Sequence, residues 1–250
     1  MTLNLYIGEK MSGAFEVTRS SSRFNEKTMQ FYTNQMFHIY NQGNNQRQVF
    51  FTDENYQYFL WKMRGYLLPF GDLIAWCLMP NHFHWQFFVK ETAIKRKVLR
   101  EHVDAVEFQR RLKKFGQNAR PVDNASERTE DEESLISLND AIGDLLKGYS
   151  RAINKEKGWS GSLFREKCKA KDGWIDEFVT VEKNGRPDWR FLPGNDYGYR
   201  LMFYIHENAV EANIVKKAID YEWSSAKDYA GLRKGSLCNL EMGRRLLKYF

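Results

Sequence analysis

The stretch Met79-Pro80-Asn81-His82-Phe83-His84-Trp85-Gln86-Phe87-Phe88-Val89 decides the fold. Residues two apart on a β-strand share a face, so His82, His84 and Gln86 fall on one side and Phe83, Trp85, Phe87 and Val89 on the other. One side is polar, and the other is built to be buried. Residues 73–79 before it are a short apolar run suited to a buried strand, and Pro80-Asn81 is turn chemistry, so the two segments form a predicted β-hairpin. Four large apolar anchors would hold both imidazoles rigidly side by side, a geometry that suits one divalent cation. Histidines at this spacing also occur as ordinary surface residues of a half-buried strand, and spacing alone leaves both readings open.

Upstream, Phe31-Tyr32-Thr33-Asn34-Gln35-Met36-Phe37-His38-Ile39-Tyr40-Asn41-Gln42-Gly43 is rich in β-forming aromatics and closes on glycine, as a first strand would. Thr52 then caps a helix in which Tyr56, Phe59, Leu60, Met63, Tyr66 and Leu67 recur at helical spacing, stopped by Pro69 and Gly71. Downstream, residues 95–120 hold nine Lys or Arg against three acids, and residues 121–134 hold six acids against Arg128. This insertion, about 91–134, fits either a basic helix with an acidic loop or a mobile segment.

Ser137-Leu138-Asn139-Asp140 opens a second helix, with Leu138, Ile142, Leu145, Leu146, Tyr149 and Ile153 on one stripe up to Gly158. Tyr149 therefore faces the sheet. A tyrosine on such a stripe is ordinarily core, but Gly148, Arg151, Lys155 and Lys157 beside it open a catalytic alternative. Residues 161–171 read as a basic strand or extended arm, 172–195 as a loop insertion, and 199–206 as a short helix continued by turn and helix over 207–215. The expected organisation is an N-terminal extension over 1–28, one domain over 29–231 and a basic tail over 232–250.

Composition narrows the class. The 250 residues are 42% hydrophobic and 15% aromatic with a mean hydropathy of -0.63, which points to a folded chain with a well-solvated surface. No long apolar run or signal-like start is present, so a cytoplasmic protein without a membrane segment is expected. Cys77, Cys168 and Cys238 are odd in number and widely spaced, which fits a reducing compartment and no structural zinc. The net charge of +6 is uneven. Residues 147–171 carry eight Lys or Arg against Glu156 and Glu166. A polyanion is the natural partner of such a stretch, and a solvated lysine-rich face is the plain alternative.

Four segments in this order resemble the REP-associated tyrosine transposases, a branch of the single-tyrosine HUH transposases. They are Phe37-His38-Ile39-Tyr40-Asn41-Gln42-Gly43; Leu78-Met79-Pro80-Asn81-His82-Phe83-His84; Tyr149 through Asn154 with Gly161-Ser162-Leu163-Phe164; and Tyr204-Ile205-His206-Glu207-Asn208 with Trp223-Ser224-Ser225. The resemblance implies an α+β, ferredoxin-like (RRM-like) palm whose antiparallel sheet carries the His-x-His pair and whose helix carries the nucleophile. It implies that His82 and His84 bind Mg²⁺ or Mn²⁺, and that Tyr149 attacks single-stranded DNA at hairpin sequences to give a 5′-phosphotyrosine and a free 3′-OH. Two imidazoles are few for a cation that prefers oxygen. Related transposases add a polar side chain from the tyrosine helix. Asn154 is the candidate here, though it lies about 140° around the helix from Tyr149 and position 153, one turn on, is apolar; Gln86 is the second choice.

The same resemblance makes Lys147, Arg151, Lys155, Arg165, Lys167, Lys169 and Lys171 the expected track for hairpin or single-stranded DNA, in a nucleoid-associated monomer or homodimer. The sequence departs from the family in its long insertions and in Ala209, where proline is usual. A hairpin-binding module of the same fold that does not cleave, and a phosphodiesterase that uses water, are the alternative functions.

Overall fold

The computed structural model describes residues 30–120, 133–166, 168–172 and 196–247. It is a mixed α/β structure with antiparallel sheets and six helices among the described residues. The chain runs β1 (Gln35–Gln42), α1 (Asp53–Leu67), β2 (Gly71–Met79), β3 (His82–Val89), β4 (Ala93–Lys95), α2 (Arg96–Phe115), β5 (Leu135–Ser137), α3 (Leu138–Lys157), β6 (Lys169–Asp172), α4 (Asp196–Glu211), α5 (Ala226–Tyr229) and α6 (Leu240–Leu247). The main sheet has the order β2-β3-β1-β6, with antiparallel neighbours throughout.

Side-chain alternation splits this sheet into two unlike faces. On one, Phe37, Ile39, Phe83, Trp85 and Phe87 pack against Phe59 and Met63 of α1 and Ile142, Leu145 and Tyr149 of α3. On the other, Met36, Ile74, Ala75, Cys77 and Met79 pack against Leu201, Met202, Ile205 and Ala209 of α4. A register shift between Leu73 and Ala75 turns both Ile74 and Ala75 toward α4. The histidines therefore share their face with α4. They do not share it with α3.

Local chemistry explains the helix starts. Thr52 Oγ1 accepts from the Asn55 backbone while Asn55 Oδ1 accepts from the Thr52 backbone, a reciprocal cap. Ser137 caps α3 in the expected way, and Gly158 ends it in the left-handed conformation at φ 66°. The basic part of the first insertion is α2, joined to α3 through the small β4–β5 pair. Its acidic residues 121–132 lie outside the described residues, as do 1–29 and 173–195, which hold the N-terminal extension and nearly all of the second insertion.

One expectation is corrected here. Residues 199–206 belong to a longer helix that runs on to Glu211, because Glu207 to Val210 keep the helical hydrogen bonding. In the stretch expected as a basic tail, Leu237 and Cys238 are buried, Cys238 bridges to Leu73, and the Asn239 N–H donates to the Leu73 carbonyl at 2.9 Å. Together with Trp223 to Ser225, this segment covers the outer edge of β2, which is why a strand at the sheet margin is buried along almost its whole length. Among the described residues no helix is long and apolar enough to cross a membrane.

Candidate active site

The β1–β3 register sets Tyr40 opposite His84, Gln42 opposite His82 and His38 opposite Gln86. All six side chains point to the α4 face. His82 and His84 lie with ring centroids 5.0 Å apart, and a third ring, His38, stacks on His84 at 5.1 Å. Tyr40 flanks both His38 and His84.

Hydrogen bonds fix how these rings present themselves. Asn81 Nδ2 donates to the Gln46 carbonyl, which leaves Asn81 Oδ1 to accept from His82 Nδ1 at 2.6 Å. His84 Nδ1 meets His38 Nε2 at 2.9 Å in a buried pair. Both Nδ1 atoms are thus engaged, and in the tautomers in which both rings donate from Nδ1 the Nε2 lone pairs of His82 and His84 are left to the cleft. Burial, then the neighbouring His38 and His82 charges, holds His84 neutral well below the ordinary histidine range. Burial also lowers His82, against a raising hydrogen bond from Asn208. Neutral imidazoles are the form that ligates metals.

Asn208 enters from α4. Its Nδ2 donates to the Tyr204 carbonyl one turn back at 2.7 Å, so Oδ1 is the atom that remains for His82. A protonated His82 donates to this oxygen, and with the ring neutral the same oxygen and ring nitrogen could both serve as donors to a cation. The donor set of two imidazoles and one amide oxygen fits a divalent cation with coordination positions to spare, and the nitrogen pair suits Mn²⁺ at least as well as Mg²⁺. Among the described residues no group of three His, Cys, Asp or Glu is placed to hold a metal ion. The Asn208 amide oxygen, beside His82, is a candidate third protein donor.

Tyr204 stands one helical turn before Asn208. Its ring centroid is 5.5 Å from that of His84 and 5.9 Å from that of His38, and it is 41% exposed. With Tyr40, Asn41, Gln42, His82, His84, Arg165 and Lys169 it lines a cleft of about 240 Å³. Two phenols, two imidazoles and two exposed cations surround one opening. Behind it, His206 Nε2 meets Ser225 Oγ at 2.8 Å and locks α4 to the edge of β2; burial pushes this ring down to about 4.

Several expected site residues lie elsewhere. Tyr149 is 0% exposed on the far face of the sheet, among Phe50, Phe59 and Phe164, and its hydroxyl donates to the Val49 carbonyl at 2.8 Å. Burial raises its pKa, the opposite of what a nucleophile needs. Tyr149 is a support: the Val49 N–H in turn donates to the Pro80 carbonyl, at the turn that carries Asn81. Asn154 is also on that side and donates to the Gly161 carbonyl near the end of α3. Gln86 is on the histidine face, but its Nε2 is committed to the Gly198 carbonyl of α4.

The basic track divides in the same way. Arg165 and Lys169 line the cleft. Lys147, Arg151 and Lys155 are exposed on α3, behind the sheet. Lys167 lies outside the described residues; the Lys171 backbone pairs opposite His38, and its side chain is not described. The signal for Tyr204 and Asn208 was their i, i+4 spacing on a helix, the spacing that Tyr149 lacks.

No family model matches the chain, and no curated protein matches it. Among solved structures the chain is similar to that of a REP-associated tyrosine transposase bound to a REP hairpin. The identity is 13%, the match covers 82% of this chain and 85% of that chain, and the TM-score is 0.46.

Proposed function

We propose that this chain is a divalent-metal-dependent enzyme of the HUH type that cleaves and rejoins single-stranded DNA at hairpin sequences, with Tyr204 as nucleophile. The observation that carries the reading is the convergence of Tyr204 with His82 and His84 at one cleft flanked by Arg165 and Lys169, with Asn208 against His82. The sheet order β2-β3-β1-β6, with α1 and α3 on one face, fits the ferredoxin-like palm that the sequence resemblance implies.

In this mechanism Arg165 and Lys169 draw the DNA backbone into the cleft and offset its charge. The Tyr204 oxygen attacks phosphorus and loses its proton; the P–O3′ bond breaks, the departing oxygen takes up a proton as a 3′-OH, and the 5′ phosphate stays on Tyr204. A phenol with an ordinary pKa near 10 needs such assistance at neutral pH. A cation held by His82, His84 and Asn208 would polarise a nonbridging phosphate oxygen and offset charge that develops in the transition state. His38 holds His84 with its Nε2 toward the cleft and is a positioning residue. Attack of a 3′-OH on the phosphotyrosine reverses the bond change, so joining needs no ATP.

The test incubates the protein with labelled hairpin oligonucleotides, drawn from inverted repeats beside its own reading frame, in Mn²⁺, and resolves the products on a denaturing gel. A retarded covalent band with wild type and Tyr149→Phe, absent with Tyr204→Phe, is expected. Cleavage without a retarded band in all three proteins would assign the attack to water, and native-gel binding without cleavage would leave a hairpin-binding module.

A further inference from the structure

We infer that the aromatic pair Tyr199 and Phe203 on α4 is a stacking subsite for the unpaired bases of a single-stranded segment that leads into the Tyr204 cleft. The inference rests on the nucleic-acid reading of that cleft. Tyr199 and Phe203 are four residues apart on one helix face, 40% and 54% exposed, with ring centroids 6.5 Å apart and planes inclined by 30°. Apolar rings of this size on a helix surface are usually turned inward, and the inward face of α4 is already filled by Leu201, Met202, Ile205 and Ala209.

The neighbouring stripe of the same helix consists of Arg200 and Tyr204, both exposed, so cation, nucleophile and stacking rings adjoin. Aromatic faces beside arginine are the features by which proteins hold unpaired bases without reading their sequence. Both rings are exposed, so a base can stack on them without a change in the helix. Glu207 occupies the next turn of the Tyr199–Phe203 stripe, and its carboxylate repels phosphate. The track is therefore short, covering the first turns of α4 and ending at the cleft.

The probe is a fluorescein-labelled hairpin oligonucleotide, prepared with and without a short single-stranded tail and titrated in the absence of divalent metal. Tyr199→Ala/Phe203→Ala should weaken binding of the tailed hairpin roughly 5- to 100-fold and leave the blunt hairpin unchanged, and Phe203→Trp should retain wild-type affinity. Equal loss for both hairpins, or no loss, would overturn the subsite. A change in the sedimentation of the DNA-free double variant would overturn it as well, by making the face a contact between two copies of the chain. Adduct formation in Mn²⁺ is scored separately at saturating DNA: tail-dependent binding without any adduct would sink the cleavage reading and keep the subsite.

Discussion

Two helices pack on opposite faces of one sheet, and each brings a tyrosine. On α3, Tyr149 is sealed among phenylalanines and spends its hydroxyl on the Val49 carbonyl. On α4, Tyr204 stands at the mouth of a basic cleft beside three histidines. The same side chain is a strut in one place and an accessible phenol in the other, and burial is what separates them. The strut still matters to the cleft. Through Val49 and Pro80 it steadies the turn from which Asn81 orients His82.

Exchanging the two phenols is the largest test of this contrast. Tyr204→Phe should abolish the covalent DNA adduct with stability within about 0.5 kcal/mol of wild type, as expected for an exposed side chain. Next in size is metal dependence: thermal unfolding of the wild type should shift upward with excess Mn²⁺, and His84→Ala or Asn208→Ala should remove most of that shift. His38→Ala should weaken Mn²⁺ binding more than His38→Gln, which keeps an acceptor for His84 Nδ1.

The pH dependence of folding reports on the α4 side. His206 is held neutral down to about 4, below its unfolded value of 6.5, so its contribution is fully present above 6.5 and declines as pH falls toward 4. Denaturant unfolding should show a loss of roughly 2 kcal/mol between pH 7 and pH 5 from this ring, absent in His206→Gln. Tyr149→Phe should cost about 1–2 kcal/mol, from the Val49 carbonyl left without its partner, while the adduct persists. The smallest expected effect is on the far side. Lys147→Ala, Arg151→Ala and Lys155→Ala should each change hairpin affinity less than Arg165→Ala or Lys169→Ala does.

The hairpin, the caps and the two-faced character of β3 were legible in the sequence because each rests on neighbours in the chain. The partner of the histidines was not, although a clue was present. A helix with an apolar stripe must bury it against an apolar face, and on β3 that face belongs to Phe83 and Trp85, not to His82 and His84. A tyrosine on the stripe of α3 therefore could not meet the imidazoles. Tyr204 and Asn208 were visible as an i, i+4 pair, but which face α4 covers depends on packing of Leu201 and Ile205 across the sheet, a contact that local sequence does not encode. His38 was hidden for a related reason: its role follows from the register of β1 against β3.

The closure of the β2 edge has a consequence for synthesis. Trp76 and Ser225 are 149 residues apart in sequence, yet they hydrogen-bond where the edge is sealed and where His206 is held. At about 5–20 residues per second, the ribosome delivers the second partner on the order of 10 s after the first. Through that interval the growing chain carries a bare strand edge that invites wrong pairing, and for most of it Tyr204 and Asn208 have yet to be made. The nascent protein is thus most exposed to chaperones in the interval before α4 docks and the β2 edge is sealed.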